Sequence, residues 1–577
     1  MSLTIYYDGD CPFCSSYVRY QRLARIDEIN LVNLRALPAD DFRHLQERFR
    51  LDQGMLVEFS GRWYTGADAM HYLALLSGGS GSLSKALAWV FRYRLLAIIL
   101  YPILRLFRNL TLLALNRKGL DTAEQKASLL LFSVCFGLFA YLHFLAYAFD
   151  FRLPLHVTAY LVPLAGAGLL LRPRSPQLLL LLFMFMVWDG WLMMPVFSNH
   201  TIIKNFFLLA VVLAGFYGAL RAYSWNSIFD AVAPVGRALL LVMYVFGVFH
   251  KINTDFLNPS VSCAVTLWHA MPLLPQWLDT TWFHYLAIYG TLVIETLIFI
   301  FLLIPRFRHW GIVFGIAFHS LLAFSGYALY TAFSMLSLTL HMLFLSEHAA
   351  QRIVSSPLSK SVADLLASVK GKLLVVSFLL ALFLYGHVGM FPVVSLVWCA
   401  FVVPLMWLII KYGHDREDRR GLSIFVSRQW GLNIVSLLFF FNCVTPYLGL
   451  KTAQSINMFA NLRLEGGVSN HLVLSAPPGP FNYLDDLVSI ESRSNDPYFN
   501  YIRQEGLSLV WYDFLNRLEK SPNTRVDFLR RGQVYSGQSA ATLAHEIESE
   551  LHPRWFRKWF HFYPVDLTLP KPCARDR

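Results

Sequence analysis

Apolar residues follow three patterns along this chain. Over residues 1–80, short apolar runs of strand length alternate with stretches of helical period. They predict strands at 3–7 and 29–34, a helix from Cys11 to about Ala24 and a second helix at 42–50. A hairpin of 55–59 with 63–64, turning at Ser60-Gly61, and a helix at 67–76 complete the set. Residues 77–84 (SGGSGSLS) read as a flexible linker. In residues 85–118, Leu and Ile are interrupted by Arg92, Arg94, Arg105, Arg108, Arg117 and Lys118. The unbroken apolar part, 97–104, is too short to cross a bilayer, so the segment reads as amphipathic helix on a membrane surface.

From residue 127 the pattern changes to apolar windows of spanning length. Eleven spans are predicted, at about 127–149, 153–171, 175–197, 202–220, 231–250, 282–304, 309–326, 327–345, 372–391, 393–410 and 430–449. Residues 452–577 are polar and aromatic again and predict a second soluble domain of mixed α and β structure. The expected fold class is thus a polytopic α-helical membrane protein of about 11 spans with a soluble α/β domain at the N-terminus and a soluble α+β domain at the C-terminus. The expected divisions are 1–80, 81–126, 127–350, 351–451 and 452–577.

The formal charge of +12 would fit nucleic acid binding in a soluble chain. Here no basic-aromatic motif accompanies it, and Lys and Arg gather in loops on one side, so no nucleic acid partner is expected. With the N-terminus inside, the inner loops hold fourteen basic residues, from Arg172 and Arg174 to Arg420 and Arg428. The outer ones hold Arg152, Lys204 and Lys251. This asymmetry predicts a cytoplasmic N-terminus and an extracytoplasmic 452–577 in a cell inner or plasma membrane. The start, MSLTIYYDGD, lacks the basic and apolar regions of a signal peptide. Of seven cysteines only Cys11 and Cys14 are close in sequence, which argues against a disulfide scaffold or a four-cysteine zinc site. Cys263 and Cys573 both fall outside, where a disulfide between them is allowed.

The run YYDGDCPFCSSYVRYQ places Cys-Pro-Phe-Cys between a strand and a helix. Unpaired amides and the helix dipole stabilise a thiolate on Cys11, Cys14 lies one turn on to close a disulfide, and Pro12 costs no helical hydrogen bond. This segment, with Gly66-Ala67-Asp68-Ala69, resembles the DCC family of thiol–disulfide oxidoreductases over roughly residues 1–118. The resemblance implies a thioredoxin-like fold and catalytic Cys11 and Cys14. Gly54 stands where thioredoxins carry a cis-proline facing the cysteines.

Ionisable residues within spans are functional candidates by default: Asp189, Glu295, His319, His341 and His387. Asn199, His200, His250 and Lys251 lie at span ends predicted to face outward. In a structural reading, Lys251 and His200 are boundary residues that snorkel. The run Phe249-His250-Lys251-Ile252-Asn253-Thr254-Asp255-Phe256, the Asn199-His200 pair and Phe318-His319-Ser320 together resemble motifs of the vitamin K-dependent γ-carboxylase superfamily and its bacterial HTTM relatives. The similarity covers about residues 125–350, and Phe256 replaces that family's Trp. It implies a vitamin K-type hydroquinone in the membrane, with Lys251 as base and His200 as its partner. Asn199, His250, Asp255 and His319 would form the quinol pocket, and no metal is called for. Arg463, Glu465, Asn470 and His471 suggest a strand-turn-strand around Gly466-Gly467 near that site. The expected function is a membrane oxidoreductase/carboxylase-like enzyme acting on an unidentified protein or small molecule in contact with lipid and quinone. Its rivals are an oxidoreductase merely anchored by the membrane domain and a redox-gated transporter or lipid-binding protein.

Overall fold

The computed structural model describes residues 2–12, 14, 28–49, 51, 54–76, 82–114, 120, 125–150, 156–194, 198–221, 224–271, 274–323, 328–386, 391–415, 418, 420–476 and 478–573. Most of the helix expected at 11–24 lies outside these residues, as do Arg117, Lys118, Arg152, His387, Arg416 and Arg419. The chain divides into two compact units. One comprises Met1–Leu129, Arg174–Leu180 and Val211–Val232; the other comprises Leu130–Pro173, Leu181–Ala210 and Ala233–Arg577.

In the first unit, Ser2–Tyr7 (β1) pairs in parallel with Glu28–Asn33 (β2). It pairs antiparallel with Leu56–Phe59 (β3), which continues into Arg62–Thr65 (β4). The order is β2-β1-β3-β4. The period of two in β1 sends Leu3 and Ile5 to one face, where they meet Val57 and the Ala69, Met70, Leu73 and Ala74 stripe of helix Gly66–Leu76. On the other face Leu34, Leu51 and Leu56 form a smaller core with Tyr6 and Trp63 beside it.

The segment assigned from sequence to a membrane surface is a packed layer of this unit. It forms helices Ser82–Phe91 and Arg94–Ala114, and Phe91 and Ala97 are buried in the core with Leu3 and Ile5. Its amphipathic pattern therefore serves the sheet on one side. The other side keeps Leu95, Ile99 and Phe107 exposed.

Four described helices are long and apolar enough to cross a membrane: Pro176–Met193, Asn199–Gly218, Trp225–Phe249 and Thr281–Leu303. A fifth candidate is the pair Pro357–Ala367 and Val369–Leu384, bent by 90° where Ser368 takes an extended conformation. The eleven expected spans thus reduce to four or five among the described residues. Several of the apolar windows counted in the sequence are longer than the helices described within them. Thr158–Leu171 has 14 residues, Arg308–Ala323 has 16 and Ala328–Met342 has 15. At about 1.5 Å per residue these reach roughly 21–24 Å, short of a hydrocarbon core of about 30 Å. Lys204 is not a loop residue either: it is fully buried in helix Asn199–Arg221, and its ammonium lies 3.6 Å from the Asp189 carboxylate.

Helices Arg308–Ala323 and Ala328–Met342 pack as a close pair. At Gly315 a Cβ would come within 2.1 Å of His341 Nε2, so only glycine permits this approach. Toward the C-terminus, Leu487–Ile490 (β5), Ser508–Val510 (β6), Val526–Arg530 (β7) and Gln533–Gln538 (β8) form an antiparallel sheet of order β6-β5-β7-β8. Helices Pro497–Gln504 and Trp511–Lys520 cover it, burying Phe499, Phe514, Trp511 and Phe528. The turn at Gly466-Gly467 exists without flanking strands. Its base is closed by the Asn470 carboxamide, whose oxygen accepts from Arg463 N–H at 2.9 Å. One isolated bridge joins His471 to Asn253.

Candidate functional site

In the first unit β1 ends in Asp8-Gly9-Asp10, and Cys11 N–H donates to the Asp8 carbonyl at 3.2 Å, turning the chain toward the helix. Cys14 N–H then donates to Cys11 Sγ at 3.2 Å, so the first sulfur occupies the position of a helix-capping acceptor. The Cys11 thiol is pulled down to about 7, first by the hydrogen bond from the Cys14 thiol, against the opposing effect of burial. The Cys14 amide and the Arg108 guanidinium lower it further. Cys14 is driven the other way by the same thiol–thiol contact and by burial. One proton is therefore shared unequally: Cys11 takes the thiolate and Cys14 keeps the hydrogen. Cys11 is covered in this reduced form, while Cys14 is partly exposed.

Residues 5–112 match the DCC1-like thiol-disulfide oxidoreductase family. No curated protein matches the chain, and no solved structure does. The matched range includes nearly all of helix Arg94–Ala114, and the geometry shows why this DCC1-like domain needs it. Arg108 donates to Asp8 Oδ2 at 2.8 Å, while Arg35 Nε donates to Asp8 Oδ1 at 2.6 Å. Asp8, nearly fully buried, is held below the usual carboxylate range by these two guanidiniums, which overcome its desolvation. Gly54 has φ +124, and a Cβ there would lie 1.5 Å from the Tyr101 hydroxyl. A proline, fixed near φ −65°, cannot adopt that backbone. Tyr101, from helix Arg94–Ala114, fills the space beside Gly54.

Asp8 and Arg108 act on Cys11 with opposite sign. Arg108→Gln is expected to raise the pH at which Cys11 becomes reactive and Asp8→Asn to lower it, with several-fold opposite changes in alkylation rate at pH 6. Rates of iodoacetamide labelling against pH check this; shifts in the same direction would remove the electrostatic account.

The second unit contains a cavity of about 480 Å³ with largely apolar walls. Its polar lining comes from Asn199, Tyr244, Lys251, Glu295 and His319. Helix Trp225–Phe249 ends just before Lys251, whose ammonium donates to both oxygens of Glu295 at 2.8 and 2.7 Å. Gly247 lies one turn earlier, where a Cβ would make ordinary contact with Glu295 Oε2 at 3.7 Å. Tyr244 hydroxyl lies 2.8 Å from His319 Nε2 and 3.3 Å from His341 Nε2.

Of the residues singled out in the sequence, Asn199, Lys251 and His319 line this cavity. His200, His250 and Asp255 are not among its lining residues. The partner of Lys251 is Glu295, not His200; His200 Nδ1 pairs instead with the Ser198 hydroxyl at 2.8 Å. His250 bonds Tyr447 OH at 2.7 Å and the Ser455 carbonyl at 2.9 Å. Asp255 accepts from Asn470 Nδ2 at 2.9 Å and Lys571 N–H at 3.1 Å, which fastens the C-terminal region to this loop. Asn199 Oδ1 accepts from Ile456 N–H at 2.8 Å. Glu295 stood out in the sequence as a carboxylate inside a span, but nothing there named its partner. Tyr244 gave no signal, since a tyrosine in an apolar helix is ordinary.

Proposed function

We propose that this chain is a membrane-bound thiol–disulfide oxidoreductase whose dithiol exchanges electrons with a quinone, and that the cavity at Lys251 binds the quinone headgroup. The observation that carries the redox part is the inward donation of Cys14 N–H to Cys11 Sγ within the DCC1-like domain. The quinone part is supported by apolar walls closed by an ammonium–carboxylate pair, a hydroxyl and an imidazole. Such a lining suits a flat apolar ring with a polar oxygen at each end. The Lys251–Glu295 pair would accept a proton from a quinol hydroxyl, with the lysine charge facing the quinolate that remains. This is the carboxylase-like part of the proposal, with Glu295 in the place the sequence gave to His200.

The electron balance is simple. The dithiol loses two electrons and two protons in becoming a disulfide, and a quinone takes up both in becoming a quinol. Anaerobic mixing of the pre-reduced full chain with menaquinone is expected to yield one quinol per disulfide formed, and none with Cys11→Ser. Lipid extracts of the purified protein should contain quinone. Disulfide exchange with protein substrates, without quinone retention or reduction, would leave an oxidoreductase that the membrane helices only anchor.

A further inference from the structure

Between the short helix Cys263–His269 and the start of Thr281–Leu303, three metal-binding side chains converge. His269 Nε2 and His284 Nε2 each lie 2.8 Å from the same oxygen, Asp279 Oδ1. One ligand atom from each residue falls within 4.8 Å of the other two. The imidazole rings meet edge to face, with centroids 5.0 Å apart and planes at 89°. We propose that His269, Asp279 and His284 bind a zinc-class divalent cation at the rim of the membrane cavity.

Two imidazoles and one carboxylate are the donor set that such a cation selects, with three protein ligands leaving a fourth position open. Bonds of about 2.0–2.1 Å place tetrahedral ligand atoms roughly 3.3 Å apart, so each imidazole would move outward from its 2.8 Å contact with Asp279 Oδ1 while the two imidazole nitrogens settle at that spacing from within 4.8 Å. The ligands stand on fixed supports. Cys263, the first residue of the short helix, is disulfide-bonded to Cys573. The Trp268 indole N–H donates to the Leu278 carbonyl at 3.1 Å, tying that helix to the loop carrying Asp279. The two helices that carry the histidines also contribute to the cavity wall, through Trp268, next to His269, and Leu286, two residues beyond His284. A cation here would join the helices Cys263–His269 and Thr281–Leu303, the second of which carries Glu295.

Trp277 and Trp282 are exposed beside the site, the position of aromatic side chains at a membrane–water boundary. Water, or an anionic group of an amphiphile entering the cavity, can therefore reach the open coordination position. His269 and Asp279 are 44% and 50% exposed, so the ligands are accessible to a cation from solvent.

The test uses the full chain without a polyhistidine tag, in detergent, after treatment with a chelator. Titration with Co²⁺ is expected to give one equivalent of bound metal with visible d–d absorption, displaced by Zn²⁺. Asp279→Asn and His284→Gln should each weaken binding at least tenfold, and His44→Gln, an exposed histidine elsewhere, should leave it unchanged. Modification of the wild type with diethyl pyrocarbonate gives an independent readout that needs no variant: Zn²⁺ should protect His269 and His284. Absence of stoichiometric binding, undiminished binding in both variants, or equal modification with and without Zn²⁺ would overturn the assignment.

Discussion

Replacing Lys251 with methionine is expected to destabilise the membrane unit by about 3–5 kcal/mol, the cost of leaving one partner of a buried ion pair uncompensated. Lys251 and Glu295 are each only 8% exposed, and both Glu295 oxygens depend on the same ammonium. The double variant Lys251→Met/Glu295→Leu removes both charges and should recover most of the loss, because apolar replacements of a buried pair are often neutral. Thermal unfolding in detergent distinguishes the two. The restored double variant should nonetheless retain no quinone, which separates the pair's chemical role from its structural one. A single variant that melts with the wild type would show that the pair is solvated. A double variant no better than the single would show that the lysine matters for something other than Glu295.

The second large effect lies in the dithiol. Cys11→Ser should abolish disulfide exchange, whereas Cys14→Ser should accumulate mixed disulfides through Cys11, since the resolving thiol is gone. With the Cys11 thiol near 7, its alkylation rate should rise as pH passes through 7 and level off above it. Cys14 is pushed up instead, so it should label slowly throughout the neutral range. Peptide mapping after a short pulse of iodoacetamide at several pH values reads both sulfurs at once. Preferential labelling of Cys14, which is the more exposed of the two, would mean that access decides and the thiolate assignment fails.

The dithiol was legible because its chemistry is local. Cys11, Cys14 and the strand before them all lie within one short stretch, so spacing alone conveys the arrangement. Asp8 was legible only as part of a motif; its partners Arg35 and Arg108 are 27 and 100 residues away. No periodicity connects such positions. The same limit hid the Lys251–Glu295 pair, separated by 44 residues; the resemblance paired Lys251 with His200, and the sequence itself offered only their common depth. Depth fixes one coordinate of three. For the helix carrying Tyr101 and Arg108 the packing of one side against the sheet was hidden for a related reason. An amphipathic stripe shows that one side needs cover, and a lipid surface or a β-sheet can each provide it. The span count ran high because hydropathy averages over a window, and an apolar window such as 153–171 can hold a helix as short as Thr158–Leu171.

The link between Cys263 and Cys573 imposes a rule of parity on how the chain is threaded. Both sulfurs lie on the same side of the bilayer, so the polypeptide between them crosses an even number of times. Contacts of Cys263 N–H with Asn461 and of Asp255 with Asn470 set the same condition over a shorter stretch. If helix Thr281–Leu303 crosses, as its length and composition allow, an odd number of other crossings must follow before residue 461. A count of four for the whole chain, with no later crossing, breaks the rule. Admitting the bent pair Pro357–Ala367 and Val369–Leu384 as a single passage satisfies it, and between Cys263 and residue 461 any further passage must come with a second.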